Sequence, residues 1–373
     1  MSTAQIPVVT GSRSRNRGRR VAVVGSGSWG TTFAKVLADA GCDVTVWARR
    51  PEVAHEIQVA KRNSQYLPGI NLPKGLKATS DLAAALKGAS LVFLAVPSQT
   101  LRQNLLDLEP YLDRRSVLVS LVKGVEKSTT MRMSEVIADA LDLDPARIAV
   151  VSGPNIALEI AKEQPTGAVA SCADLGVAQE IATAVSAPYF RGYVNTDVVG
   201  TELGGVLKNL IALAIGIVDG VGYGENTKAA IITRGLAEMT EFAVASGADP
   251  ATLSGLAGLG DLIATCQSPL SRNNTAGRLI GQGYTQEETR EQMQQVAEGI
   301  TSVHPVLELA RERGITMPIV EQVQMVLSGT MAPKNLGPHL ATEDEVPQPE
   351  LSLGGPRPGR LRRLLDRLKG SPS

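Results

Sequence analysis

The sequence predicts a doubly wound α/β domain followed by an all-helical C-terminal domain. In the first half, apolar runs alternate with helical patterns, and a glycine pattern follows the first run directly. From about Asn195, long stretches instead show 3.6-residue periodicity with few strand-like runs. The predicted strands are residues 21–24, 44–47, 91–96, 117–122 and 148–151. These runs are apolar throughout rather than alternating, which is typical of strands buried on both faces of the parallel sheet in a Rossmann-like fold.

The first predicted strand runs into Gly25-Ser-Gly27-Ser-Trp-Gly30 and then into a helical stretch, residues 31–40, which Gly41 closes. This G-x-G-x-x-G pattern lies between strand and helix, the context that dinucleotide binding requires. Gly25 permits a tight turn, Gly27 lets the backbone approach a pyrophosphate, and Gly30 lets the helix lie close to the strand. The alternative is an ordinary glycine-rich turn.

The end of the second strand indicates which dinucleotide is bound. In NAD-binding proteins a carboxylate about 20 residues beyond the glycine pattern holds the ribose 2′-OH. Here Arg49 and Arg50 stand at that place, and a guanidinium group pairs well with a 2′-phosphate. The sequence predicts NADPH or NADH as the cofactor, with NADPH favoured. The alternative is that one arginine stacks on adenine or faces solvent.

In the second half the predicted helical stretches are residues 201–218, 226–246, 254–264 and 301–313. The chain of 373 residues therefore divides into two domains, residues 20–194 for the dinucleotide and residues 195–333 for substrate and catalysis. Residues 1–19 are basic and of low complexity, so we expect a disordered extension. Residues 334–373 are predicted to form a proline-rich and basic tail.

Composition excludes several classes of function. The 37 basic and 37 acidic residues balance, and four Phe, two Trp and six Tyr offer little stacking surface, so we expect no nucleic-acid partner. Gly, Lys or Asp interrupts every long apolar run, so no integral membrane segment is predicted. The three cysteines are widely spaced, which favours a reducing, cytoplasmic setting without a metal site. A twin-arginine export signal at Arg19 and Arg20 is the alternative, although the apolar run behind it breaks at Gly25.

Polar clusters follow the predicted strands and interrupt the later helices, and their residue types suit reduction of a phosphorylated carbonyl compound. Lys208 is the most informative, because it lies in an apolar, glycine-containing helical stretch. A desolvated lysine falls from a pKa of about 10.4 to roughly 7 or 8, where it works as a general acid and base. The other clusters contain Lys123, then Ser152-Gly153-Pro154-Asn155, then Asp261, then Ser271-Arg272-Asn273. Taken singly, Lys208 and Lys123 could reach solvent, Asp261 could cap a helix, and Arg272 could be a surface charge.

Several strings together resemble bacterial NAD(P)-dependent glycerol-3-phosphate dehydrogenases over about residues 20–330. The strings are Gly25-Ser-Gly-Ser-Trp-Gly-Thr31, Lys123-Gly-Val-Glu126, Ser152-Gly-Pro-Asn155, Leu207-Lys-Asn209, Ile232-Thr-Arg-Gly-Leu-Ala-Glu-Met239, Ala257-Gly-Leu-Gly-Asp-Leu262, Ser271-Arg-Asn273 and Val296-Ala-Glu-Gly299. The resemblance implies reduction of dihydroxyacetone phosphate to sn-glycerol 3-phosphate with NADH or NADPH, which supplies phospholipid synthesis. The resemblance is also compatible with a homodimer.

The resemblance also implies residue roles. Lys208 is similar to the family's catalytic proton acceptor, and Lys123 to the lysine that contacts cofactor and substrate. The other implied substrate residues are Gly153, Asn155, Asp261, Ser271, Arg272 and Asn273, and Asn155 stands where some relatives have Ser or Thr. The implied cofactor contacts are Ser28, Trp29, Arg49, Arg50, Ala157, Arg272, Val296 and Glu298, beside Gly25, Gly27 and Gly30 from the glycine pattern.

Two alternatives remain at this point. One is another two-domain reductase, of the 3-hydroxyacid or 6-phosphogluconate dehydrogenase type, which shares the glycine loop and a helical second domain but would aim an arginine at a carboxylate. The other is a non-catalytic NADPH-sensing module that docks partners through its basic tail. The polar set at Lys123, Lys208, Asp261 and Arg272 argues against the second.

Overall fold

The structure, a computed structural model, describes residues 13–293 and 297–337. Residues 1–12, 294–296 and 338–373 lie outside this description. The first half forms one eight-stranded sheet with helices on both faces, and the second half is helical. The predicted fold class is confirmed.

The sheet combines seven neighbouring strand pairs. Its strands are β1 (Arg20–Val24), β2 (Asp43–Trp47), β3 (Lys77–Thr79), β4 (Leu91–Leu94), β5 (Val117–Ser120), β6 (Ile148–Ser152), β7 (Thr166–Cys172) and β8 (Phe190–Asn195). They lie in the order β3-β2-β1-β4-β5-β6-β7-β8, and every neighbouring pair is parallel except β6 and β7. The chain leaves β1 towards β2 on one side and returns to β4 on the other, so a crevice opens beyond the carboxyl ends of β1 and β4.

All five predicted strands form, but two of them end earlier than predicted, and three further strands were not predicted. The runs 91–96 and 117–122 leave the sheet after Leu94 and Ser120, where the chain turns towards the crevice. β3 has only three residues, and β8 alternates buried with more accessible side chains at the sheet edge. Neither matches the continuous apolar pattern of a central strand. The antiparallel β7 was not expected either.

The helices lie on both faces of the sheet and make up the second domain. They are α1 (Arg13–Asn16), α2 (Ser28–Asp39), α3 (Pro51–His55), α4 (Leu82–Leu86), α5 (Leu101–Leu108), α6 (Met133–Leu141), α7 (Ala157–Ala161), α8 (Leu175–Val185), α9 (Val198–Val221), α10 (Glu225–Ala245), α11 (Pro250–Leu253), α12 (Asp261–Gln267), α13 (Arg272–Gly281), α14 (Gln286–Gln292), α15 (Glu298–Glu312) and α16 (Pro318–Leu327). The predicted helix over 254–264 is wrong as one unit: Leu256–Gly260 is a π-helical turn, and α12 begins only at Asp261.

Alternate side chains of β1 supply two separate apolar cores. Val21 and Val23 pack with the helices on one face, while Ala22 and Val24 pack on the other. A third core surrounds α9, against which α10, α12, α13, α15 and α16 pack. By length and hydropathy α9 could cross a membrane, but 83% of its most apolar window is buried inside the protein, as in a core helix.

Glycines bring α9 and α13 into backbone contact. A Cβ on Gly216 would collide with the carbonyl oxygen of Asn274 and with Gly277, and a Cβ on Gly277 would collide with the carbonyl of Leu213. Gly220 and Gly281 repeat the arrangement one turn further along both helices. Only glycine permits this approach, so the relative position of the two helices is set by backbone atoms.

The expectation that residues 1–19 form a disordered extension is wrong for residues 13–19. Asn16 is fully buried, and its Nδ2 donates to the carbonyl oxygens of Ala40 and Thr183, each at 3.0 Å. These carbonyls belong to the ends of α2 and α8, where backbone acceptors lack helical partners. Composition predicts disorder because it averages over the whole segment. The hydrogen bonds of one side chain, the Asn16 amide, instead anchor residues 13–19. The rest of the predicted extension lies outside the described residues.

The predicted tail likewise starts too early. Leu336 is fully buried in the helical core, and the Tyr223 hydroxyl donates to the carbonyl of Lys334 at 2.9 Å. Residues 334–337 therefore belong to the helical domain. The proline-rich and basic part from residue 338 lies outside the described residues.

Candidate active site

The glycine loop lies at the crevice between β1 and β4. Gly25 has φ +115°, and a Cβ there would collide with the carbonyl of Ala95. A Cβ on Gly30 would collide with the carbonyl of Gly25, so α2 can approach the strand only with glycine at this position. Around Gly27 nothing lies within 4 Å of a built Cβ. The loop is thus crowded at its two ends and open in the middle.

The first turn of α2 points into the crevice. Gly27 is its N-cap and provides no side-chain cap, so the first backbone N–H groups are available to an anion. The Ser28 hydroxyl donates to the carbonyl of Tyr66 at 2.6 Å. The indole Nε1 of Trp29 is buried, and no described residue accepts its hydrogen bond. Buried donors are normally satisfied, so this indole can donate to a water molecule or to a ligand in the crevice.

Arg49 and Arg50 follow β2 at one end of the crevice but differ in their surroundings. Arg49 is exposed, and no described residue forms a hydrogen bond or ion pair with it. Arg50 is held: its Nη2 donates to Gln65 Oε1 at 2.5 Å and to the Tyr66 hydroxyl at 3.3 Å. Its guanidinium also lies 5.5 Å from the centre of the Tyr66 ring.

At the other end of the crevice, two lysines share one buried carboxylate. Asp261, at the start of α12, is 1% exposed, and its Oδ2 accepts from Lys123 Nζ at 2.5 Å. Its Oδ1 lies 3.0 Å from Lys208 Nζ. Lys208 also donates to Thr265 Oγ1 at 2.6 Å, and Thr265 donates to Asp261 Oδ1 at 3.2 Å. Thr265 lies one helical turn after Asp261 and was not among the predicted site residues.

Burial lowers the pKa of Lys208 to about 8. The charge of Asp261 opposes this shift and that of Lys123 adds to it. An amine with this pKa can release and regain a proton near neutral pH, which suits general acid–base chemistry. The nearby Cys266 thiol has its pKa raised to about 12 by burial, so it stays protonated.

Asp261 and Gly153, two of the predicted substrate residues, are not among the residues that line the crevice, and both contact Lys123, which does line it. Both carboxylate oxygens of Asp261 are taken by the lysines. The carbonyl of Gly153 accepts from Lys123 Nζ at 3.1 Å, and its φ of +150° places it against Ala168. Gly153 thus holds Lys123, and Asp261 holds both lysines, while a contact of either residue with substrate stays a prediction.

Asn155 lines the crevice with an unsatisfied amide. Its Nδ2 and Oδ1 are both buried, and neither has a hydrogen-bond partner among the described residues. The buried Ser152 hydroxyl, beside Gly205, likewise has no hydrogen-bond partner in the part of the chain that the structure describes. An amide in this state can serve a ligand that presents a donor and an acceptor side by side.

The start of α13 brings the third predicted cluster to the same crevice. Ser271 is the N-cap, and its Oγ accepts from the backbone N–H of Asn274 at 3.3 Å. Arg272 is accessible to solvent, yet the surrounding walls desolvate its guanidinium and lower its pKa, against the charge of Glu298. Asn273 joins three helices, because it donates to Asn209 Oδ1 and accepts from the backbone N–H of Gly299, both at 2.8 Å.

The remaining predicted cofactor residues lie near the meeting of the two domains. Glu298 accepts from the Ser98 hydroxyl at 2.7 Å, so it bridges α15 to the turn after β4. Ala157 begins α7, and its carbonyl accepts from Thr32 of α2 at 3.3 Å. Val296 lies outside the described residues.

The crevice has a volume of roughly 850 Å³, within the range for small-molecule sites. It runs from Arg49 and Arg50 past the glycine loop to Lys208 and Arg272. Residues that the sequence analysis did not select also line it, among them Tyr66, Asn209 and Thr265. Among the residues described, no group of three or more His, Cys, Asp or Glu side chains could hold a metal ion.

Comparison with known families assigns this architecture. A family model described as the NAD-dependent glycerol-3-phosphate dehydrogenase N-terminus matches residues 20–178, and the corresponding C-terminus model matches residues 197–337. The chain belongs to the NAD-dependent glycerol-3-phosphate dehydrogenase family. The resemblance in the sequence is confirmed, and the 3-hydroxyacid dehydrogenase alternative is set aside.

Members of this family resemble the chain over most of its length. A glycerol-3-phosphate dehydrogenase [NAD(P)+] of Leifsonia xyli is 67% identical over 332 residues, covering 89% of this chain and 90% of the relative. One from Streptomyces griseus is 57% identical, covering 84% of this chain and 94% of the relative. The crystal structure of the Coxiella burnetii glycerol-3-phosphate dehydrogenase superimposes with a TM-score of 0.83 at 35% identity, covering 87% of this chain and 99% of that one.

Proposed function

We propose that this chain is an NAD(P)-dependent glycerol-3-phosphate dehydrogenase that reduces dihydroxyacetone phosphate to sn-glycerol 3-phosphate. The observation that carries the proposal is Lys208: its amine is buried at the crevice wall, its pKa is lowered to about 8, and Asp261 and Thr265 hold it in place. It works in the cytoplasm, and its product enters glycerophospholipid synthesis.

The crevice fits a nicotinamide dinucleotide. The open backbone at Gly27, the uncapped start of α2 and the unsatisfied Trp29 indole suit a pyrophosphate. Arg49 and Arg50 would hold the adenosine end, and Lys123, Ala157, Arg272 and Glu298 would surround the nicotinamide end. When bound, the reduced nicotinamide supplies the hydride that C2 of the ketone receives.

Lys208 completes the reduction by donating a proton to the C2 oxygen, on which negative charge develops. It thereby becomes a neutral amine and regains its proton from water before the next turnover. Lys123 adds positive potential beside the same oxygen. Asp261 orients both amines, because each of its oxygens binds one of them.

The phosphate of the substrate binds at the start of α13. Arg272 offers two parallel donors, which suit phosphate oxygens better than a point charge. Ser271 and Asn273 flank it. Asn155, with its unsatisfied amide, binds the hydroxyketone part of the molecule.

The direct test follows NADPH oxidation by purified protein with a panel of ketones. Rapid oxidation is expected with dihydroxyacetone phosphate and slow oxidation with unphosphorylated dihydroxyacetone. Turnover that is faster with a 2-keto or 3-keto acid, or absent with every ketone, would contradict the proposal.

The reaction should depend on pH through Lys208. Reduction needs the protonated amine, so we expect kcat/KM for dihydroxyacetone phosphate to fall above pH of about 8, while oxidation of glycerol 3-phosphate rises up to the same pH. The charge of Asp261 raises the pKa of Lys208. Asp261→Asn should therefore move both the fall in reduction and the rise in oxidation to lower pH. If the pH profiles of reduction and of oxidation do not both change near pH 8, Lys208 is not the proton donor.

The cofactor preference is a separate prediction. Arg49→Ala combined with Arg50→Ala should raise KM for NADPH about tenfold or more and change KM for NADH little, because only NADPH carries a 2′-phosphate. Initial rates at saturating dihydroxyacetone phosphate measure both constants. Equal changes for the two cofactors would place the arginines at adenine instead.

A further inference from the structure

Residues 61–72 form a compact loop over the cofactor end of the crevice, here called the 61–72 loop. Its ends meet, because the backbone N–H of Leu72 donates to the carbonyl of Lys61 at 2.8 Å. Leu67 and Leu72 are 2% and 5% exposed and pack into the core on one face of the sheet. A loop closed and anchored in this way is an Ω-loop with a fixed shape.

One part of the loop is bound to the glycine pattern. Asn63 is 1% exposed, and its Nδ2 donates to the carbonyl of Ser26 and to Thr31 Oγ1, both at 2.8 Å. Thr31 in turn donates to the carbonyl of Ser26 at 3.1 Å. Asn63 therefore fixes the backbone that would meet a pyrophosphate.

The next turn of the loop is bound to the arginine that follows β2. Gln65 Oε1 and the Tyr66 hydroxyl accept from the same nitrogen of Arg50, and the Tyr66 ring lies against the guanidinium. Between the two attachments, the carbonyl of Tyr66 accepts from Ser28 in the first turn of α2. Arg50 also forms an ion pair with Glu52, whose Oε1 lies 3.7 Å from the Arg50 Nε.

We propose that Gln65 and Tyr66 are positioning residues that set the preference for NADPH over NADH, while Asn63 serves the part common to both cofactors. The inference rests on the proposed function, in which Arg50 meets the 2′-phosphate. A long, accessible arginine loses side-chain entropy when it binds an anion. Gln65 and Tyr66 hold Arg50 before the cofactor arrives, so less of this entropy is lost on binding, and the gain applies only to a cofactor with a 2′-phosphate.

The experiment compares three sets of variants in the full chain. Gln65→Ala combined with Tyr66→Phe removes both acceptors from Arg50 and keeps the ring. Asn63→Ala tests the contact with the glycine loop, which serves both cofactors. If Asn63→Ala does not fold, Thr31→Val takes its place, because it removes one hydrogen-bond partner of Asn63 with little change in shape. Tyr111→Phe, at an exposed tyrosine away from the crevice, is the matched control. KM for each cofactor and inhibition by adenosine 2′-monophosphate and adenosine 5′-monophosphate are measured.

For Gln65→Ala/Tyr66→Phe we expect KM for NADPH to rise about fivefold to tenfold, inhibition by the 2′-monophosphate to weaken by a similar factor, and KM for NADH to rise less than twofold. For Asn63→Ala both KM values should rise together, so that their ratio is kept. Equal changes for the two cofactors in the first variant, or no change, would overturn the inference.

The arginine variants separate this inference from the one it rests on. If Arg49→Ala/Arg50→Ala alters the NADPH-to-NADH ratio and Gln65→Ala/Tyr66→Phe does not, only the role of the loop is wrong. If neither set alters the ratio, the 2′-phosphate is bound elsewhere and both proposals fail.

Discussion

Replacing Lys208 with alanine should lower kcat by at least 100-fold, because the proton donor for the C2 oxygen is removed. Cofactor binding should remain close to normal, since Lys208 lies at the substrate end of the crevice. The measurement pairs steady-state rates of NADPH oxidation with fluorescence titration of NADPH. Lys77→Ala, at an exposed lysine on β3, is the control and should leave both unchanged.

Near-normal kcat in Lys208→Ala would reject its assignment as proton donor. Loss of NADPH binding together with kcat would show instead that removing the amine leaves Asp261 and Lys123 mispaired and distorts the site. Thermal unfolding of the variant distinguishes this from global loss of structure.

Arg272→Lys should reduce kcat/KM for dihydroxyacetone phosphate by about 1.5 to 3 kcal/mol, roughly tenfold to more than a hundredfold. Lysine keeps the positive charge but loses the two parallel donors, and the balanced net charge of the chain offers no general field to compensate. Unphosphorylated dihydroxyacetone, already a poor substrate, should be almost unaffected. Rates with both ketones at several concentrations give the comparison.

Equal losses for the two ketones would mean that Arg272 serves the cofactor or the fold. Lys123 would then be the next candidate for the phosphate. Arg278→Lys, on the same helix and paired with Asp219, controls for changes to α13 itself.

The sequence predicted the features that follow from local pattern. Continuous apolar runs marked the central strands, and the three glycines lie where strand, turn and helix require them. The apolar stretch around Lys208 also predicted a lysine in an apolar setting, and the structure buries this side chain. The pairing of Lys208 and Lys123 on one carboxylate could not be predicted by pattern, because it depends on how α9, α12 and the segment after β5 meet in space.

Other misses have the same cause. Asn16 and Asn63 are single polar residues in segments of unremarkable composition, and their importance comes from backbone carbonyls far away in sequence. For Asp261 the sequence indicates both a substrate contact and the orienting of an amine, and the structure shows each of its oxygens bound to a lysine.

The glycine contact between α9 and α13 has a consequence for which substrates can fit. Lys208 lies on α9 and Arg272 on α13, so the span from the proposed proton donor to the proposed phosphate anchor depends on the spacing of the two helices. These helices touch at Gly216, Gly220, Gly277 and Gly281. Two helices that contact each other through side chains can move closer when those side chains are made smaller. Two helices whose backbones already touch cannot move closer in this way. If Lys208 and Arg272 have the proposed roles, the backbone contact between their helices sets the distance between the reacting carbon and the phosphate that the site accepts. A Cβ at any of these glycines would force the two helices apart, so we expect a single glycine-to-alanine substitution here to change that span and with it the length of phosphorylated ketone that fits.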